Sequence, residues 1–460
     1  MLRRFASNAG ANIFSGAVGA AYLLATTGIA SRTWHGVEFA SWALALSIAA
    51  IAPIFAANLS GVVTRRIVES RHNKPGADAL AIVLAGRHMG QHLTYVALVL
   101  LICSGAWIQL RLSSGVMSTS SFLILLLMLL LTNNWLLLWQ TRFGQYYADE
   151  RNWLPALTLA AARLGGALGM IFGLAVASQS LAAAAFGLCA GTWTGLACAQ
   201  LLLPMPNQVG LAETSPTSTD IHQQYRTNAQ LLSGFAIGSV SMLVIQYSIP
   251  PLMALIAPKM FNAFYLASVL NMVAIGVLAA AMSAMLAPLT RWHSRGETSS
   301  LRRFTLISPI LCAMSCLAVL SVCWYATGPI IQTISVRAAS LDDIRTFLAL
   351  LGFQTIIRNA AAGYGMYIAS AGTSRQMATP LIIEIVLAFI VAVPLGWNYS
   401  ERGLIYGLIL SSLLGSLYSS QVVASLKRTR QISIRTAFPS LLGAQIAVSG
   451  LWWLIVRFSL

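Results

Sequence analysis

The chain has 460 residues, 57% of them hydrophobic and only 9% charged, and a mean hydropathy of +0.75. That composition excludes a water-soluble globule and describes a polytopic membrane protein. The net charge of +16 would suit a nucleic-acid binder. The cations, however, lie in short loops between apolar runs, where they orient a membrane protein and attract anionic lipid.

Taken in windows of about 20 apolar residues, the sequence predicts thirteen spans. The first six are Ala9–Ala30, Val37–Ser60, His92–Leu110, Thr119–Gln140, Leu154–Ala177 and Ser180–Leu203. The polar stretch Met205–Thr227 follows. Six more spans are Asn228–Ile256, Phe261–Ala287, Phe304–Gly328, Ile344–Ser370, Thr379–Tyr399 and Gly403–Ser425. A basic loop with Lys427, Arg428 and Arg430 then leads to the last, Ala437–Ile455. The first run follows Arg3 and Arg4 as a secretory leader would, but at about 22 residues it outlasts a usual leader core and reads as a retained helix. No loop is long enough to hide a soluble domain.

With the N-terminus in the cytoplasm, Arg65, Arg66, Arg71, Lys74, Arg291, Arg302, Arg303 and the basic loop all fall on the cytoplasmic side. Arg32, Arg111, Lys259, Arg337, Arg402 and Arg457 fall on the other. That asymmetry sets the orientation and puts the C-terminus outside the cytoplasm. The six cysteines lie within spans and none forms a CxxC pair, so packing is the expected role rather than metal binding or disulfides. The tryptophans near span ends, among them Trp34, Trp153, Trp324 and Trp397, read as an aromatic belt.

The polar stretch divides the first twelve spans into six and six. This predicts an N-terminal lobe at 1–204, a cytoplasmic linker at 205–227, a C-terminal lobe at 228–425, and a basic loop with a thirteenth span at 426–460. Weak self-similarity supports a duplication. Asn8-Ala9…Ser15-Gly16 recurs as Asn228-Ala229…Ser233-Gly234, and the second span of each half ends in Thr-Arg, at Thr64-Arg65 and Thr290-Arg291. Phe39 to Ala45 lines up loosely with Asn262 to Ser268. The fourth spans exit through Tyr146-Tyr147-Ala148 and Tyr367-Ile368-Ala369. Corresponding spans run in the same direction, so the repeat is parallel, with its axis along the membrane normal.

The opening Arg3-Arg4…Ser7-Asn8-Ala9…Asn12…Ser15-Gly16, the run Phe39-Ala40-Ser41-Trp42-Ala43-Leu44-Ala45 and the exit Ala371-Gly372-Thr373 carry a further reading. With the six-plus-six pattern, the chain resembles the multidrug/oligosaccharidyl-lipid/polysaccharide (MOP) exporter superfamily, above all its Wzx-type polysaccharide flippases. The resemblance implies an all-α fold of two six-helix lobes around a central cavity, with one extra C-terminal span. It also implies export by alternating access across a bacterial inner membrane.

Arg163 lies roughly 14 Å into the fifth span, and Arg358 sits near the centre of the tenth. A cation at such depth costs at least about 2.5–3.5 kcal/mol, so each needs a function or a partner. Either could bind a diphosphate in the cavity, since a guanidinium fork matches phosphate oxygens, or be neutralised by an acid. Glu384 is the one acid well inside a span, and is either a coupling site or the ion-pair partner of one of these arginines. Arg345 is expected to pair locally with Asp342 or Asp343. Asn133, Asn134, Gln246, Asn271 and Gln354 offer amides either to sugar hydroxyls or to neighbouring helices. Pro250-Pro251 must break or end the seventh helix, and with Gly16, Gly19, Gly234 and Gly238 it suggests bendable first helices in each lobe.

The leading expectation is therefore a flippase for an undecaprenyl-diphosphate-linked oligosaccharide. Its partners would be the lipid-linked cargo, membrane lipids and a polysaccharide polymerase complex, with no nucleic acid and no cofactor. The alternative is an ion-coupled drug antiporter of the same superfamily, which would want carboxylates for a cationic cargo. A membrane-embedded polymerase or ligase ranks last, because glycosyl chemistry needs a positioned acid or base and the exoplasmic acids are few. No nucleotide-binding P-loop motif is present, and the chain is not expected to be an enzyme.

Overall fold

The computed structural model describes residues 2–34, 52–73, 77–111, 119–203, 217–233, 260–334, 340–426 and 434–459, with a few single positions between them. The described residues are almost all helical, with no strand among them. Helices satisfy every backbone donor and acceptor internally, which is what a hydrocarbon surrounding demands. The chain divides into two compact units, Met1–Leu232 and Ser233–Leu460.

The first unit holds α1 (Leu2–Thr33), α2 (Ala52–Asn73), α3 (Ala77–Arg111), α4 (Thr119–Ala148), α5 (Trp153–Val176) and α6 (Leu181–Leu202). A further helical stretch, 218–233, docks on α2 and α3 through Arg66 to Gln224 (2.8 Å), His92 to Tyr225 (3.1 Å) and Asn228 to the carbonyl of Ile82 (3.5 Å). Asn228, predicted to open the second lobe, therefore packs within the first unit. The turn between α4 and α5 is tied to α1 by Asn8. Its Nδ2 donates to the Glu150 carbonyl (2.8 Å) and its Oδ1 accepts from the Asn152 amide (3.3 Å).

The α5–α6 hairpin is the tightest packing in this unit. Gly165, Gly169 and Gly173 on α5 face Gly191, Gly187 and Ala183 on α6, and a Cβ at any of these glycines would run into the opposite backbone. Small residues at four-residue spacing let two apolar helices touch along their backbones, where dispersion contacts replace the hydrophobic drive that lipid removes. At the tip, Gln179 adopts a left-handed φ of 66°, and Trp34 fastens the turn by donating Nε1–H to the Gln179 carbonyl (2.8 Å).

The second unit holds α7 (Phe261–Ser283), α8 (Leu286–Arg295), α9 (Thr298–Ile334), α10 (Leu341–Ala360), α11 (Ala362–Ala371), α12 (Ser374–Leu387), a π-helical turn (Ala388–Ala392), α13 (Val393–Ser425) and α14 (Ile434–Ser459). α13 reverses direction at Ser400 (φ 57°), so the apolar stretch Ser374–Ser425 is two antiparallel spans. The predicted tenth span is likewise two helices, broken at Ala361. α14 is integral to this unit. Its Trp452 fills a notch left by Gly352 on α10, donates Nε1–H to the Ala349 carbonyl (2.9 Å), and meets Trp324 edge-on at 5.8 Å.

Seven described stretches are long and apolar enough to cross a membrane. They contain the predicted spans 1, 4, 5, 6, 9, 11, 12 and 13, and α3, α7 and α10–α11 carry spans 3, 8 and 10. Much of spans 2 and 7 lies outside the described residues. The chain is a multi-pass membrane protein. The internal repeat is visible in its contacts. Gly86 packs on Thr141 in the first unit and Ser308 on Gly363 in the second, and 308 − 86 and 363 − 141 both equal 222.

Two expectations are corrected. Trp34 and Trp324 are not belt residues: each is 1% exposed, because each ring closes a helix–helix junction. Arg345 does not pair with Asp342 or Asp343. Its guanidinium lies over Trp324 at 6.0 Å, while Ser340 caps the helix by accepting from the Asp343 amide (3.1 Å) and donates its own hydroxyl to Asp343 Oδ2 (2.6 Å).

Candidate functional site

In the first unit, Arg163 projects from α5 towards α1. Its Nη1 donates to the main-chain carbonyl of Ser15 at 2.7 Å. One turn further along α1, Gly19 has no side chain, and the guanidinium fills that space: a Cβ there would stand 2.8 Å from Arg163 Cζ. α1 can approach because α5 is itself drawn against α6 by the glycine stripe, which leaves Arg163 on the opposite face. Among the described residues, no carboxylate lies within ion-pair distance of Arg163. The phenols of Tyr22 on α1 and Tyr147 on α4 are within its electrostatic reach.

In the second unit, the other deep arginine is neutralised. Arg358 Nε lies 3.0 Å from Glu384 Oε1 and 3.3 Å from Oε2. Ser412 Oγ donates to Glu384 Oε1 (2.9 Å), and Gln354 Nε2 donates to Ser412 Oγ (3.3 Å). Four of the polar residues in this part of the chain thus form one connected network across α10, α12 and α13. Beside it, Gln445 on α14 donates to Ser416 Oγ (2.7 Å) and to the Ile357 carbonyl (2.9 Å). Backbone irregularities flank the pair. Arg358 is in the last turn of α10 before the break at Ala361, and Glu384 is one turn before the π-helical residues.

The structure therefore separates the two arginines. Glu384 is the partner of Arg358, not of Arg163. Gln354 belongs to the same network. Asn133 is spent locally, donating to the Leu129 carbonyl (3.2 Å). Asn134 is 4% exposed with neither side-chain polar atom hydrogen-bonded among the described residues, and Asn271 Oδ1 is in the same state. Gln246, Pro250 and Pro251 lie outside the described residues, as do Gly234 and Gly238. The sequence marked Gly19 only as a hinge glycine and Tyr147 only as part of the repeat, and it gave no role to Tyr22, Ser412 or Gln445. The one signal it offered was the spacing of Ser15, Gly19 and Tyr22 at i, i+4 and i+7, a single helix face.

All six cysteines are free, and four of them are buried among helices. No group of three or more metal-ligating side chains occurs among the described residues.

No protein-family model matches the sequence, and no curated protein matches it. Solved structures do. An outward-facing multidrug-resistance MATE transporter of the MOP superfamily superposes with a TM-score of 0.70 at 12% identity, covering 97% of this chain and 96% of the other. A Vibrio cholerae MATE transporter gives 0.73 at 11% identity, with coverage of 94% and 98%. A Pyrococcus furiosus MOP-superfamily transporter, described as having a binding pocket of reverse polarity that suggests a different function, gives 0.72 at 12% identity over 97% and 96%. The chain has the fold of MATE transporters of the MOP superfamily.

Proposed function

We propose that this protein is a membrane transporter that exports an anionic cargo. The observation that carries this reading is Arg163, a deep guanidinium with one carbonyl partner and no carboxylate among the described residues. A cationic drug would need an unpaired acid within the spans, and the acid available, Glu384, is already engaged by Arg358. Likeness of fold to multidrug transporters supports an antiporter of free small molecules more directly than a flippase of lipid-linked sugar. The charge of the spans supports an anion over a cation in either case. A free organic anion is therefore the first reading. A polyprenyl-diphosphate-linked oligosaccharide, whose diphosphate would meet the same guanidinium, is the second.

Reconstitution separates them. In proteoliposomes, efflux of anionic organic dyes that falls at least tenfold in Arg163→Ala supports the first reading. Loss of surface glycan in cells carrying only Arg163→Ala, with no change in dye efflux, supports the second. Wild-type rates in both assays would overturn the anionic reading.

A further inference from the structure

The geometry points to an oxyanion subsite contained wholly within the first unit, in which Arg163, Tyr22 and Tyr147 together hold a phosphate-type group. The inference rests on the anionic-cargo reading and specifies how the anion is held.

Four observations meet at this place. First, Ser15, Gly19 and Tyr22 share one face of α1, so the carbonyl that holds Arg163, the gap that receives it and a phenol lie in register. Second, the Ser15 carbonyl engages only one N–H of Nη1 (2.7 Å), which leaves the other guanidinium N–H groups without an acceptor among the described residues. Third, both phenols are placed by packing rather than by chance exposure. The Tyr22 ring lies 3.5 Å from where a Cβ on Gly166 would stand, and Tyr147 packs on the cluster containing Leu154 and Ala162, next to Arg163 in the chain. Fourth, both tyrosines are partly exposed, and neither hydroxyl is hydrogen-bonded among the described residues.

A guanidinium fork and two phenol O–H groups all donate and bring no competing charge. A tetrahedral anion with several equivalent oxygens, such as a phosphate or diphosphate, can accept from all three at once. A monodentate halide could not use the set. Gly19 is a positioning residue in this scheme: its missing side chain lets the guanidinium seat against α1, and it touches no ligand.

The test is calorimetric binding of inorganic pyrophosphate to the full chain in nanodiscs. Wild type should bind, Arg163→Ala should not, and Tyr22→Phe and Tyr147→Phe should each weaken binding about tenfold, the usual scale for a hydrogen bond to a charged acceptor. Gly19→Ala should weaken it as well without removing a donor, while Arg163→Lys should retain part. Circular dichroism of each variant establishes that it is folded. Wild-type pyrophosphate affinity in the Tyr22→Phe/Tyr147→Phe double variant would overturn the subsite, as would absence of binding by the wild type. If the subsite fails while transport still depends on Arg163, the anionic-cargo reading stands. If Arg163→Ala transports normally, both fall.

Discussion

Two arginines at similar depth have opposite circumstances, and each consequence belongs to individual side chains. Arg358 and Glu384 form a buried pair, the carboxylate being 5% exposed, with Arg358 Nε donating to Oε2 and Ser412 Oγ to Oε1. Removing one partner leaves an uncompensated charge in low dielectric, which costs about 3–5 kcal/mol, whereas replacing both by apolar residues of similar volume is often neutral. Glu384→Ala is therefore expected to lower the thermal unfolding midpoint of the purified protein markedly, and Glu384→Leu combined with Arg358→Met to recover most of it. A double variant no more stable than the single would show that the pair is not the source of the loss. Position 415 reports on the same carboxylate. A Cβ there would stand 2.8 Å from Glu384 Cβ, so Gly415→Ala should destabilise in the same assay through crowding alone.

Among the elements, one hairpin in each unit follows a common plan. α5 and α6 meet through Gly165, Gly169, Gly187 and Gly191, and in the second unit Gly403, Gly407 and Gly415 abut Leu395, Ala392 and Glu384. Gly187, Gly191 and Gly195 recur as Gly407, Ser411 and Gly415, each 220 positions later. Backbone contact of this kind admits no branched side chain, so Gly169→Val should force the hairpin apart. The expected outcome is loss of folded protein in size-exclusion chromatography, with Gly276→Ala, at a position open around its Cα, behaving as wild type. The existence of these helices was legible in the sequence, because length and apolarity are local. The backbone breaks were not. Gly363 two residues after Ala361, and Pro394 two residues after the π-helical turn at Ala388–Ala392, were the only local signals, and inside long apolar runs they did not stop the tenth and eleventh spans from reading as continuous helices.

For the whole molecule, the distribution of charge sets the expected topology. α14 is 26 residues long, about 39 Å at 1.5 Å per residue, which is enough to span a hydrocarbon core. The expectation of a cytoplasmic N-terminus and thirteen spans places a reporter fused after Leu460 on the exoplasmic side. Alkaline phosphatase and green fluorescent protein fusions measure this directly, and a fluorescent cytoplasmic fusion would require an even number of crossings.

The sequence by itself determined the membrane class, the two-fold repetition and the identity of the deep charges, and it set an expectation for the orientation. Each of these is a sum over local properties: transfer free energies residue by residue, the sign of loop charges, the order of short similar segments. What only the tertiary structure decided was the circumstance of each charge. Arg358 meets Glu384 because α10 and α12 both pack against α13, and among the described residues Arg163 meets no acid because α1 presents a carbonyl and a glycine where a carboxylate could have stood. Burial makes a partner obligatory for such a group, but which partner depends on which helices touch. That is set by glycine contacts and backbone breaks spread over 26 to 148 residues of chain.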